Sequence, residues 1–220
     1  MWKEQKKAVL DTALELVKKG MVIGTAGNVS MRLQRKNSLQ NLISITPSNR
    51  DYDSLSIDDI VVVDFNGEPV EGNLKPSVET MLHIGIYKAR KKINAIVHSH
   101  STFGSIFSVT YQDIPAIMED QVDCLGGKIK VADYALHGSQ VLMKNVISAL
   151  GPNNAVILAN HGTLSVGKNM REAITNCEML EKTARIYMCA LAVGRVNKLP
   201  PEGMEKEKTW FNLQYGEAEK

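Results

Sequence analysis

Two short apolar runs, Ala95-Ile96-Val97 and Ala155-Val156-Ile157-Leu158, each run straight into histidine: the first into His98-Ser99-His100, the second into Asn160-His161-Gly162. Runs of this length and β-branched content read as strands covered on both faces, which requires a layered fold around a sheet. Three of the chain's five histidines therefore fall at the C-terminal ends of buried strands. Layered α/β proteins favour that edge for ligands.

The rest of the pattern supplies the covering layers. Residues 2–19 carry apolar positions at helical spacing and stop at Gly20, as an amphipathic helix with a glycine cap does. A glycine-punctuated stretch, Gly24 to Asn28, leads into β-like runs at 29–33 and 42–46, followed by a Pro47-Ser48-Asn49 turn. Another strand, 60–63, is closed by an Asn66-Gly67 hairpin signal. Pro76-Ser77-Val78-Glu79 predicts a helix running towards Lys91, with Ser77 as N-cap and Glu79 in the first turn. A long helix is expected over 171–193, with Asn169 near its start and Gly194 just past its end, and then a Pro-, Glu- and Lys-rich tail over 198–220, anchored by Trp210, Phe211 and Tyr215. With 220 residues, no repeat and no linker, the chain reads as one domain, 1–220.

Composition excludes several function classes. A net charge of +2 with no basic-aromatic alternation argues against nucleic acid. No apolar run approaches the roughly 20 residues of a bilayer crossing, and the charged opening Met1-Trp2-Lys3-Glu4 lacks a signal-peptide core, so no membrane association and a cytoplasmic location are expected. Cys124, Cys177 and Cys189 show no CxxC spacing, which leaves neither a disulfide framework nor a thiolate zinc site.

The chemistry lies in the histidines. On a strand, side chains at i and i+2 share a face, so His98 and His100 can bind one ion, and His161 adds a third imidazole. Three imidazoles without a thiolate leave an open coordination position, as in a catalytic zinc site. Glu79 and His83, four apart on one helix face, are each able by spacing to complete the shell, and spacing does not choose between them. His137, in a Leu136-His137-Gly138 turn, reads as a loop residue. The Gly24–Ser30 segment, the 46–49 turn and Ser77 can each present N–H groups or hydroxyls to an anion. In the absence of GxxxxGK[ST], together they suggest a sugar phosphate rather than a nucleotide.

Six ordered motifs resemble the class II aldolase/adducin family: Gly24-Thr25-Ala26-Gly27-Asn28-Val29-Ser30, Ile45-Thr46-Pro47-Ser48, Lys75-Pro76-Ser77-Val78-Glu79, Val97-His98-Ser99-His100, Ile114-Pro115-Ala116 and Ala159-Asn160-His161-Gly162. The fold expected is a single α/β domain with a mixed, mostly antiparallel central sheet covered by helices. The resemblance implies a homotetramer with active sites between subunits and one Zn²⁺ per subunit, held by His98, His100, His161 and Glu79. It makes Glu79 the catalytic acid/base as well, and His83 no ligand. Gly27, Asn28, Ser48, Asn49 and Ser77 match the phosphate-binding positions. The implied reaction is cleavage of a ketose 1-phosphate, such as L-fuculose 1-phosphate or a related deoxy-sugar phosphate, to dihydroxyacetone phosphate and an aldehyde. The family also includes L-ribulose-5-phosphate 4-epimerases and non-catalytic adducin heads; the retained histidines and Glu79 argue against the latter. The chain departs from the fuculose-phosphate pattern at Ser48-Asn49, which is Thr-Gly there, and at Val78, a second serine there. Where the pattern has a tyrosine, the chain reads Met118-Glu119-Asp120. The aldehyde-side proton then falls to Glu119 or to Tyr215, from the same or an adjacent subunit. A carboxyl group can donate it only if burial or neighbouring charge raises its pKa.

Overall fold

Cover on both faces is what the two apolar runs demand, and the computed structural model, which describes residues 1–33 and 41–215, provides it. Among the described residues, strands β1 (Asn28–Leu33), β2 (Leu42–Ile45), β3 (Val61–Asp64), β4 (Pro69–Glu71), β5 (Ala95–Ser99), β6 (Val131–Ala132), β7 (Ala155–Leu158) and β8 (Gly162–Gly167) form one sheet in the order β4-β3-β2-β1-β5-β8-β7-β6. Only β6 and β7 pair in parallel. Helices α1 (Lys3–Lys18), α2 (Thr80–Ala89), α3 (Thr102–Thr110), α4 (Glu119–Leu125), α5 (Gln140–Leu150), α6 (Met170–Val193) and α7 (Pro201–Tyr215) cover it. This is the single α/β domain with a mostly antiparallel sheet that was expected. No helix among the described residues is long and apolar enough to cross a membrane.

Alternation within the strands sorts the layers. Ile96 faces Leu82 and Ile86 of α2 and Leu142 and Val146 of α5, together with Ile43, Val63 and Val156. Its neighbours Ala95 and Val97 face the opposite way, onto Val9, Ala13 and Leu16 of α1 and Ala173 and Cys177 of α6. A third cluster joins Ala155 and Ile157 to Phe107 of α3, Leu125 of α4, and Leu180 and Ala184 of α6. Each fully buried Ile or Leu in these clusters contributes roughly 1.5–3 kcal/mol, so the central strands are the most firmly held part of the molecule.

Three local expectations change. The second predicted helix begins at Thr80 and ends at Ala89, inside the 76–91 limits. Ser77 accepts a hydrogen bond from Glu79 N at 3.2 Å, and Thr80 donates to the Ser77 carbonyl, so 77–80 is a turn in which Glu79 becomes the N-cap instead of a first-turn residue. The tail contains a helix the pattern did not predict, α7, which packs on α4; of its three expected anchors Phe211 and Tyr215 are buried and Trp210 is exposed. Residues 216–220 lie outside those described. Finally, α3, α4, α5 and β8 occupy segments to which the sequence pattern gave no element; of these, α5 had a visible start, since the Ser139 hydroxyl caps Leu142 N.

Candidate metal and substrate site

At its C-terminal end β5 is flanked on both sides, with His98 opposite Asn28 of β1 and Leu164 of β8. His100 follows one residue past the strand, where its N–H donates to the Met21 carbonyl. The tight β7–β8 connection, with Asn160 at φ 52°, brings His161 to the same place, where its N–H donates to Ser108 Oγ at 2.9 Å. The three rings form an edge-to-face triangle with centroids 4.7, 4.9 and 5.2 Å apart. One ligand nitrogen from each lies within 4.8 Å of the others, so the cluster is able to hold a metal ion. Gly162 permits this closeness: a Cβ there would lie 2.5 Å from the Ser99 carbonyl oxygen and 2.9 Å from the His100 ring.

Hydrogen-bond accounting shows what the cluster lacks. His98 Nδ1 is 2.9 Å from the Thr163 carbonyl, a pure acceptor, so the Nδ1 hydrogen is donated there and Nε2 of the neutral ring is bare. That bare nitrogen faces His100 Nε2 at 3.1 Å and Glu79 Oε2 at 3.1 Å. With His100 in its Nδ1–H tautomer, lone pairs converge on one point, where a cation would relieve their repulsion. Glu79 Oε1, also buried, has no hydrogen-bond partner among the described residues and lies 3.7 Å from His161 Nε2. Three imidazoles and a carboxylate are a donor set that fits a divalent transition metal. His83 stands outside the cluster.

The electrostatics agree. Burial acts to raise the Glu79 pKa, but His98, His161 and the Asn28 amide outweigh it and hold the carboxyl at about 2. Burial, reinforced by the neighbouring imidazoles, pushes His100 and His161 down to about 4. At neutral pH the site thus presents the Glu79 carboxylate and unprotonated imidazoles at His100 and His161, the forms that bind metal.

Behind the carboxylate lies a feature the motif reading missed. Glu79, His83 and Tyr87 follow at four-residue steps along α2, while Asn28, Ser30 and Arg32 follow at two-residue steps on the face of β1 that α2 covers. Steps of about 6.0 Å on the helix and 6.6 Å on the strand nearly match, and the residues meet rung by rung. Asn28 Nδ2 donates to Glu79 Oε2 at 2.8 Å. Ser30 Oγ lies 2.7 Å from His83 Nδ1 and 2.8 Å from Tyr87 Oη. Arg32 donates to the Tyr87 carbonyl at 2.5 Å and stacks 4.9 Å above the Tyr87 ring. The sequence signal was present as N-x-S-x-R paired with E-x₃-H-x₃-Y.

The residues matched to a phosphate cradle come together beside Glu79. Val29 and Thr46 bond each other, Pro47 bridges Pro76, Ser48 N donates to Lys75 O and Ser77 N to Thr46 O. Gly27-Asn28, Ser48-Asn49 and Ser77 therefore share one rim, with Asn49 in left-handed backbone at φ 54°. Asn28 directs one amide hydrogen at Glu79 and retains a second.

Glu119 and Tyr215 are not joined to this cluster. Glu119 is exposed at the start of α4 and, among the described residues, has no hydrogen bond or ion pair; its neighbour Asp120 pairs with Lys182. The Tyr215 hydroxyl donates to Glu172 at 3.2 Å, and Lys168 Nζ sits 4.3 Å over its ring. Both partners lie beyond Gly167, at the far end of six-residue β8, about 17 Å from the His161 end. Burial and Glu172 raise the Tyr215 pKa. His137 is exposed, as expected of a loop residue.

A family profile described as Class II Aldolase and Adducin N-terminal domain matches residues 7–188. The chain is 30% identical over 202 residues to the 5-deoxy-D-ribulose 1-phosphate aldolase of Bacillus thuringiensis serovar kurstaki, an alignment covering 92% of each protein. To the L-fuculose phosphate aldolase of Escherichia coli (strain K12) it is 34% identical over 187 residues, 85% of this chain and 84% of that one. A solved structure of an L-fuculose 1-phosphate aldolase superposes with a TM-score of 0.88 at 34% identity, covering 95% of this chain and 96% of that chain.

Proposed function

This chain belongs to the class II aldolase/adducin family and is a lyase, and from that premise we propose that it is a zinc-dependent aldolase. It cleaves a ketose 1-phosphate, L-fuculose 1-phosphate or a related deoxy-sugar phosphate, to dihydroxyacetone phosphate and an aldehyde. The observation that carries this reading is the convergence of His98 Nε2, His100 Nε2 and Glu79 Oε2 at 3.1 Å with His161 beside them. Neighbouring nitrogens on a tetrahedral zinc are about 3.3 Å apart, and soft sulfur ligands are absent from the set.

Zinc held by His98, His100, His161 and Glu79 would supply Lewis-acid charge to the carbonyl side of the substrate. The chain's own groups do the rest. Gly27, Asn28, Ser48, Asn49 and Ser77 bind the terminal phosphate through N–H groups, an amide and hydroxyls. Their rim places the phosphate at one end of the substrate and the histidines near its carbonyl. When C3–C4 breaks, its electron pair stays with C3, and Glu79, having taken up a proton from solvent, delivers it to C3 to complete dihydroxyacetone phosphate; in synthesis its carboxylate removes that proton. The proton on the aldehyde oxygen is handled by Glu119 or Tyr215. Because both lie apart from their own chain's histidines, they reach the substrate across a subunit boundary in a cytoplasmic homotetramer.

Metal analysis of the purified protein together with aldol cleavage assays on L-fuculose 1-phosphate and 5-deoxy-D-ribulose 1-phosphate tests the reading. One zinc per chain and cleavage of either substrate support it. A metal-free preparation with full activity, or turnover of L-ribulose 5-phosphate alone, refutes it.

A further inference from the structure

Besides Glu79 Oε1, two more buried polar atoms on this helix–strand ladder have no partner among the described residues: Asn28 Oδ1 and His83 Nε2. All three sit on the first two rungs. His83 is completely buried, and its other nitrogen is bonded to Ser30, so the placement of its single ring hydrogen decides whether the group is self-consistent.

Two arrangements satisfy the Ser30 rung. In one, His83 Nδ1–H donates to Ser30 Oγ, whose hydrogen goes to Tyr87 Oη, while the Tyr87 hydroxyl donates to the Ser30 carbonyl at 3.1 Å. This leaves Nε2 bare, so three acceptors, one of them on a carboxylate, would be buried together with no donor among them. In the other, the Tyr87 hydroxyl donates to Ser30 Oγ across the shorter 2.8 Å contact and Ser30 donates to His83 Nδ1. The ring hydrogen then sits on Nε2, one helical turn from Glu79. A buried donor beside two buried acceptors, one of them anionic, is strongly preferred over three acceptors.

We infer that His83 is a positioning residue for Glu79: locked as the Nε2–H tautomer by Ser30 and Tyr87, it directs its ring hydrogen through one bridging water at the Glu79 carboxylate. The inference rests on the reading that Glu79 is the acid/base. Asn28 holds Oε2 from the strand side, and His83 holds the carboxylate from the helix side, so its orientation is fixed when it moves a proton. His83 touches neither metal ligand nitrogens nor substrate.

Two asparagine/glutamine variants separate the ring's two nitrogens. His83→Asn keeps an amide group near the Nδ1 position for Ser30 and has nothing at Nε2; His83→Gln places an amide near Nε2. The readout is solvent proton exchange into dihydroxyacetone phosphate by the zinc-loaded full chain, with zinc content measured on the same samples. The expected result is one zinc per chain in both variants, exchange about 10- to 100-fold slower in His83→Asn, and clear recovery in His83→Gln. Equal losses in the two variants, or a wild-type rate in His83→Asn, would overturn the inference. Histidine-labelled nitrogen NMR of the wild type, metal-free and zinc-loaded, decides independently of how the variants fold: a hydrogen on His83 Nε2 supports the inference and one on Nδ1 overturns it. If the wild type and Glu79→Gln exchange at the same rate, the functional reading fails, while the NMR result still fixes the His83 tautomer.

Discussion

Replacing Gly162 by alanine adds one methyl group at the point where β8 passes the histidines. Gly162 has no left-handed backbone, so the substitution costs no conformational strain and acts through space alone. The new Cβ would sit 2.5 Å from the Ser99 carbonyl oxygen, 2.9 Å from His100 Cδ2 and 3.4 Å from His98 Cε1. Neither the carbonyl, fixed in the β5–β8 ladder, nor the rings can give way without moving the cluster; the strands must part by several tenths of an ångström. Overpacking of this kind costs about 1–3 kcal/mol. In a chain of this size that lowers the melting temperature by roughly 2–12 °C. Ligand groups displaced by about 0.5 Å should also lose roughly 10- to 100-fold in metal affinity. Gly167 provides the control, since its Cβ would meet Ala173 N at 2.5 Å and Glu172 Cβ at 2.8 Å, at the end of β8 remote from the histidines. Melting curves of the metal-free proteins and competition titrations with a chelating dye should show both variants destabilised but only Gly162→Ala impaired in zinc binding. Wild-type zinc affinity in Gly162→Ala, or equal loss in Gly167→Ala, would refute the reasoning.

Replacing His98, His100 or His161 by alanine should remove both metal and activity, whereas His83→Ala should retain the metal; elemental analysis distinguishes the two. Glu79→Gln should abolish proton exchange between solvent and dihydroxyacetone phosphate, while Glu119→Gln should leave that half-reaction intact and slow only cleavage of the complete ketose phosphate. Ser48→Ala should weaken phosphorylated ketose binding by about 1–3 kcal/mol, seen as a raised KM with unphosphorylated analogues unaffected. Burial holds His83 at about 3, below its ordinary value of 6.5. The unfolded chain therefore binds this proton first, and stability that is complete above pH 6.5 is lost as the pH falls towards 3. By pH 5 this amounts to about 2 kcal/mol. Denaturant titrations of the metal-free protein at pH 7.5 and 5.0 should show His83→Gln losing less by that amount, and equal losses would count against it.

The strands that carry the histidines were legible because β-branched runs such as Ala95-Ile96-Val97 have no other stable use than a doubly covered strand. The histidine cluster was legible for the same reason: His98 and His161 fall where those runs end. Position 79 was read as first-turn because Ser77 looks like an N-cap, yet its hydroxyl reaches only two residues ahead and delays the helix to Thr80. Helix α7 was hidden by Pro200-Pro201 and by its charged sequence; what orders it is packing of Phe211 against Gly126 of the α4 cap, a contact distant in sequence. The alternation of Asn28, Ser30 and Arg32 was overlooked because polar residues on a strand suggest solvent, and here their solvent is the polar stripe of a helix.

That stripe behaves as a vernier. Each helical step of four residues advances about 6.0 Å against 6.6 Å on the strand, so the mismatch grows by about 0.6 Å per rung and reaches about 1.2 Å at the third. Arginine, the longest and most adaptable of the strand side chains, occupies that third position; a fourth would fall nearly 2 Å out of step, beyond hydrogen-bond tolerance. The six positions consequently constrain one another as three couples. A change at one, such as serine to a larger residue at 30, is tolerated only with a compensating change at 83 or 87. A one-residue insertion between 79 and 87 rotates the part of the stripe beyond it by about 100° and breaks the register between the couples on its two sides. Histories of substitution at 28 with 79, 30 with 83 and 32 with 87 should therefore be correlated, even though only the first couple adjoins the histidine cluster.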